Sequence, residues 1–142
     1  WMRVREKEGL SYNVRSRLSV SAFEPSGSWG VYAIFSPENR IKVEAAIREE
    51  FERVLKEGFG VAEVQDGIKA LLNYRKLARA QDSSLTGAWI NYLDTGRTFA
   101  WAAELDQKMA KLTADQVNAV VRKYLKPEAF SSVAAGDFEK KK

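Results

Sequence analysis

The chain predicts an α+β fold. Two segments with strand periodicity precede five with helical periodicity in the middle, and one last strand-like segment ends the chain. That order is neither alternating nor all of one kind, and it implies an antiparallel or mixed sheet with a layer of helices on one face. At 142 residues, 45% hydrophobic and 30% charged, the chain can hide about two thirds of its unfolded surface, enough for one core. A single domain over residues 1–142 is therefore expected.

The elements follow in order. Residues 1–8 read as the last turns of a helix, with Gly9 placed to take the left-handed position past its end and Leu10 to fold back onto Val4. From Tyr12 to Phe23, Val14, Leu18, Val20 and Ala22 alternate with Asn13, Arg15, Arg17, Ser19 and Ser21, the period of a half-exposed strand. The turn cluster Pro25-Ser26-Gly27-Ser28 leads into a second strand, Trp29 to Phe35, and the two suggest an antiparallel hairpin. Ser36 can cap, and Pro37 can open, a helix to Glu57 with an apolar stripe of Ile41, Ala45, Ile47, Phe51, Val54 and Leu55, stopped by Gly58.

A helix from Val61 to about Gln81 presents Val64, Ile68, Leu71, Leu72 and Leu77, and its interior Gly67 costs about 1 kcal/mol relative to Ala. Ser84 to Asp94 and Thr98 to Met109 read as two shorter helices, whose Trp89 and Trp101 are expected in the core. Thr113-Ala114-Asp115-Gln116 fits a capping box opening a helix that Pro127 closes, and Phe130 to Ala135 is expected as a strand.

Composition excludes several classes of function. The net charge of +4 comes from 23 basic and 19 acidic residues interleaved along the helices, which describes a solvated surface. The lysines Lys140 to Lys142 read as a frayed basic end. Arg15, Arg17 and Phe23 lack the aromatic doublets of a single-strand platform, so no nucleic acid is expected. No segment has the eighteen or so apolar residues of a bilayer span. With neither Cys nor His, Ser has no paired base for nucleophilic catalysis, and Gly58-x-Gly60 follows a helix rather than the strand a phosphate cradle needs. Glu44, Glu49, Glu50, Glu52 and Asp66 read as ion-pair surface at helical spacing, so no metal is expected in this chain. The chain opens on Trp1 rather than Met and its first residues read as the inside of a helix, so a piece of something longer is expected.

One junction carries chemistry. Arg5-Glu6-Lys7-Glu8-Gly9-Leu10-Ser11-Tyr12 sets an arginine and a phenol seven residues apart across a helix-to-strand boundary. Taken alone, an Arg in a last helical turn complements the helix dipole, and a Tyr opening a strand packs with its hydroxyl in water. Together with the ending Leu112-Thr113-Ala114-Asp115-Gln116-Val117 to Tyr124-Leu125-Lys126-Pro127-Glu128, however, the junction resembles the second homologous domain of the pitrilysin/insulinase family of zinc metallopeptidases, the inverzincins.

The resemblance implies half of a metallohydrolase-like pitrilysin fold, truncated on its N-terminal side. It also implies a role in a zinc-dependent endopeptidase. In that family the tyrosine at Tyr12 points toward the scissile carbonyl and the arginine at Arg5 binds a neighbouring substrate carbonyl, which makes both catalytic and substrate-binding candidates. A donor aimed at a developing oxyanion is worth several kcal/mol, and a guanidinium fork keeps its donors at working pH. The family's zinc is held by two His and a Glu of the first domain, with another Glu activating water. The implied partners are therefore a peptide or unfolded polypeptide substrate and an N-terminal zinc-bearing domain or subunit. The fragment itself is expected to be inactive and to form a homo-oligomer through sheet edges that truncation opens. The alternative is a non-catalytic homologue acting as partner or structural subunit of a protease complex.

Overall fold

The computed structural model describes residues 9–138; the expected helix end over residues 1–8, with Arg5 and the Leu10–Val4 contact, lies outside them. The fold is α+β. A two-stranded antiparallel sheet, β1 (Asn13–Val20) and β2 (Gly27–Ile34), is followed by α1 (Arg40–Glu57), α2 (Val61–Ala78), α3 (Asp82–Asp94), α4 (Phe99–Ala110) and α5 (Ala114–Tyr124). The chain falls into two units, Trp1–Glu57 with Leu125–Lys142, and Gly58–Tyr124.

In the first unit, Gly9 takes φ +59°, the left-handed value that glycine adopts without a Cβ penalty. The hairpin register pairs Asn13 with Ile34 and Val20 with Gly27, so Val14, Ala33, Leu18 and Trp29 share one face. Leu10, Val14, Val43 and Ala46 form a buried cluster, with Ala33, Phe35 and Ile47 packed against it. The small Ala46 lets α1 approach the sheet closely. Further along, Trp29 stacks on Phe51 at 5.5 Å, and Phe130 meets Phe51 edge-on at 4.5 Å.

Several expectations shift. The helix opens with a 3₁₀ turn, Pro37–Asn39, and Ser36 contributes its carbonyl to Asn39 rather than a side-chain cap. This phase leaves Ile41 80% exposed and centres the buried stripe on Val43 and Ala46. β1 ends at Val20 because Ser21 Oγ accepts from the amides of Phe23 and Glu24, a local turn that competes with the ladder. Leu18 shares a face with Val14 but is 68% exposed, since α1 packs only on the base of the hairpin and on Trp29. The expected strand Phe130 to Ala135 does not form. A 3₁₀ turn, Pro127–Ala129, precedes it, and the segment is extended without a ladder partner while the Phe130 ring is held between Trp29 and Phe51.

The second unit is helical. Thr98 caps α4 by accepting from the Trp101 amide at 3.1 Å. The capping box at α5 is present, with the Gln116 amide donating to Thr113 Oγ1 at 3.3 Å and the Thr113 amide to Gln116 Oε1 at 3.0 Å. Trp89 departs from the expected core; it is 58% exposed and meets Phe99 only edge-on. Leu71 and Leu77 are exposed as well, while Val64 is buried.

Two polar clamps hold this unit. Gly58 sits at φ +80°, and the buried Asn118 of α5 accepts from the Phe59 amide at 2.8 Å and donates to the Phe59 carbonyl at 3.0 Å. Across α2 and α4, Asp106 accepts from Arg75 Nε at 2.5 Å and from Arg79 Nη2 at 2.7 Å. Burial pushes the Asp106 carboxyl up, but the hydrogen bonds and positive charges of Arg75 and Arg79 outweigh it and hold the group below its usual range.

These clamps generate two predictions. A Cβ on Gly58 would meet Asn118 Nδ2 at 2.7 Å, and the positive φ adds strain. Gly58→Ala and Asn118→Ala should each lower unfolding free energy by about 1–3 kcal/mol, the latter by orphaning the Phe59 amide and carbonyl. Because removing Asn118 removes the clash, the double variant should lose clearly less than the sum of the two. Additive losses in urea titrations would contradict the steric account.

A carboxyl lowered on folding stabilises above its unfolded value of about 4 and loses that contribution as pH falls through the folded value. Asp106→Asn should therefore be less stable than the parent at pH 7 by about 1–3 kcal/mol. The gap should narrow at pH 2, and equal gaps at both pH values would show that the ion pairs are not its source.

Candidate functional site

Tyr12 stands between two anchors. Leu10 and Val14, two residues to either side, are both buried against α1, and Val43 on that helix is only 1% exposed. Strict alternation would turn Tyr12 inward with Val14. Instead the strand begins irregularly: the Tyr12 amide donates to the Ile34 carbonyl at 2.9 Å, and Ser11 Oγ lies 2.6 Å from the same oxygen and 2.9 Å from the Asn13 carbonyl. Asn39 Nδ2 lies 3.4 Å from the Leu10 carbonyl and ties the junction to the turn before α1. The phenol is left 74% exposed on a backbone fixed on both sides.

The neighbouring surface belongs to the hairpin face opposite α1. It carries Asn13, Arg15, Arg17 and Ser19 of β1, paired with Ile34, Tyr32, Gly30 and Ser28 of β2. Asn13 Oδ1 accepts from Arg15 Nε at 3.1 Å. Phe23 is exposed in the turn beyond β1 and does not join Arg15 and Arg17. Arg5, the other expected site residue, lies outside the described residues, so its distance to Tyr12 is not part of this geometry.

Among the described residues no donor set fits zinc. The sequence has no His and no Cys, and no group of three acidic residues that could hold a metal occurs among the described residues. Several acidic residues of α1 and α2 engage in helical ion pairs, Arg40 with Glu44 at 2.9 Å, Arg53 with Glu50 at 3.1 Å and Lys69 with Asp66 at 3.7 Å. No helix among the described residues is long and apolar enough to cross a membrane. The depression at the hairpin tip, lined by Ser19, Val20, Ser21, Ser26, Gly27 and Ser28, is open to solvent and bears no titratable side chain.

The polar side chains that sequence reasoning missed, the buried Asn118 and the partly buried Asp106, have structural partners. Their only signal in the sequence is a polar residue on an otherwise apolar helical stripe.

Comparison with known proteins adds a lineage. No curated protein matches the chain. The crystal structure of a peptidase M16 inactive domain from Pseudomonas fluorescens superposes with a TM-score of 0.71 at 23% identity, over 88% of this chain and 29% of that one. The chain thus spans under a third of that protein's length, and the likeness establishes a shared fold. Residues 1–71 match the family described as the peptidase M16 inactive domain. That span is half of the sequence and includes the Gly9-Leu10-Ser11-Tyr12 junction, the hairpin and α1, and on it the chain belongs to the peptidase M16 inactive-domain family.

Proposed function

We propose that this chain is the substrate-binding C-terminal domain of an M16 zinc endopeptidase, a wall against which an extended polypeptide lies. The exposed Tyr12 phenol, fixed between buried Leu10 and Val14, carries the reading. Tyr12 donates a hydrogen bond to the oxygen of the carbonyl under attack, and Arg5 grips a neighbouring substrate carbonyl with its planar fork. Zinc and its activated water would come from an N-terminal domain or subunit, since this chain lacks the donors. The chain alone is inactive in this reading, in keeping with the description of its family. The second reading, a non-catalytic subunit of a protease complex, draws on the same description. It is decided by whether the full gene product contains a His-x-x-Glu-His motif.

In the zinc-bearing parent, Tyr12→Phe should lower kcat about a hundredfold, the scale of losing one oxyanion donor, with KM changed by less than about threefold. An unchanged kcat would overturn the oxyanion role. Incubated alone with unfolded peptide and zinc, the chain should give no turnover, and turnover abolished by chelator would sink the reading.

The chain in isolation is further proposed to pair with a second copy. Among the described residues β1 and β2 pair only with each other, so each has an open edge. The edge of β2, Gly27–Ile34, carries no charge, whereas self-pairing of β1 would oppose Arg15 and Arg17 to their own copies. Light scattering should report a multiple of 16.0 kDa. A clean monomer would count against the pairing.

A further inference from the structure

The hairpin face opposite α1 is cationic and built around an open space. β1 reads Asn-Val-Arg-Ser-Arg-Leu-Ser-Val and β2 reads Gly-Ser-Trp-Gly-Val-Tyr-Ala-Ile, with no acidic residue in either strand. Arg15 lies across from Tyr32, and Arg17 across from Gly30. A Cβ built on Gly30 meets nothing within 4 Å, so the floor beside Arg17 is bare backbone with free volume above it. Tyr32, 63% exposed and two residues along from Gly30, flanks that volume. Asn13 Oδ1 takes Arg15 Nε, which orients the guanidinium and leaves its Nη donors for another acceptor.

We propose that Arg15 and Arg17, with Gly30 as floor and Tyr32 as flank, form a subsite for two acidic side chains spaced i, i+2 in an extended peptide. The proposal rests on the reading that this chain binds peptide, and it adds the class of peptide preferred. Side chains two apart on a strand project to one side about 6.6–6.8 Å apart, and an extended peptide repeats at the same interval. Arg15 and Arg17 are themselves two apart on β1, so two cations and two carboxylates match in spacing without adjustment. Each guanidinium can take a carboxylate through paired N–H donors. The subsite begins three residues from Tyr12 along the chain.

The test uses the 142-residue chain and fluorescence anisotropy with labelled nonapeptides that differ only at two positions, Glu-Val-Glu against Gln-Val-Gln. The acidic peptide should bind about fivefold tighter at low salt, the scale of two exposed ion pairs, and the preference should shrink as salt rises. Arg15→Gln/Arg17→Gln should abolish the preference, so that both peptides bind the variant alike. Gly30→Thr should weaken the acidic peptide by filling the space beside Arg17. Circular dichroism matching the parent should accompany both variants, since these residues are exposed. Equal binding of the two peptides overturns this inference and leaves peptide binding standing. No binding of either overturns both. Displacement of the acidic peptide by an oligothymidylate as readily as by unlabelled Glu-Val-Glu peptide would indicate a general polyanion surface and overturn the assignment.

Discussion

The contact of Leu10 and Val14 with Val43 and Ala46 governs the first unit. A two-stranded hairpin is marginal in water, and this one is ordered because α1 covers its base. The same contact fixes the backbone on either side of Tyr12, so packing and presentation of the phenol are one event. Weakening the helix-to-sheet contact would loosen the candidate site without touching a residue in it. Position in this unit matters more than amount of core, since the tip of the hairpin carries Leu18 and Val20 into solvent.

The helical unit has a different economy. Two of its polar groups resemble the raw material of active sites: a partly buried carboxyl lowered by two guanidinium groups and a buried amide side chain bonded to backbone. In each case the partners account for the group. Asp106 joins α2 to α4, and Asn118 joins α5 to the residue just after Gly58. On the proposed reading, the chemistry offered to a ligand lies on the hairpin, where polar side chains are exposed.

Legibility in the sequence followed the range of the forces involved. Hairpin, helix order and the capping box at α5 were readable because periodicity, turn residues and capping pairs act within a few positions. Tyr12 was singled out through the resemblance of its Arg5-to-Tyr12 junction, and its exposure depends on a strand irregularity made with Ile34, 22 residues away. The failures are tertiary. Periodicity marked Leu18, Ile41 and Trp89 as apolar-face residues and could not say which stretch of that face would be covered. Phe130 to Ala135 has strand composition, but a strand exists only with a ladder partner, and here the Phe130 ring has a better-defined contact than the backbone. The cationic face was visible as Arg15 and Arg17; its open floor at Gly30 came only from the register.

The first unit is discontinuous, since its aromatic cluster joins Trp29 and Phe51 to Phe130 across the whole helical segment. During synthesis the hairpin and α1 leave the ribosome before Phe130, which emerges some 80 residues after Phe51, a delay on the order of 4–16 s at usual elongation rates. For that interval the indole and phenyl rings are without their third member, and the uncharged edge of β2 is bare beside them. The nascent chain thus passes through a period when its stickiest surface is on display and its closing residue has not been made.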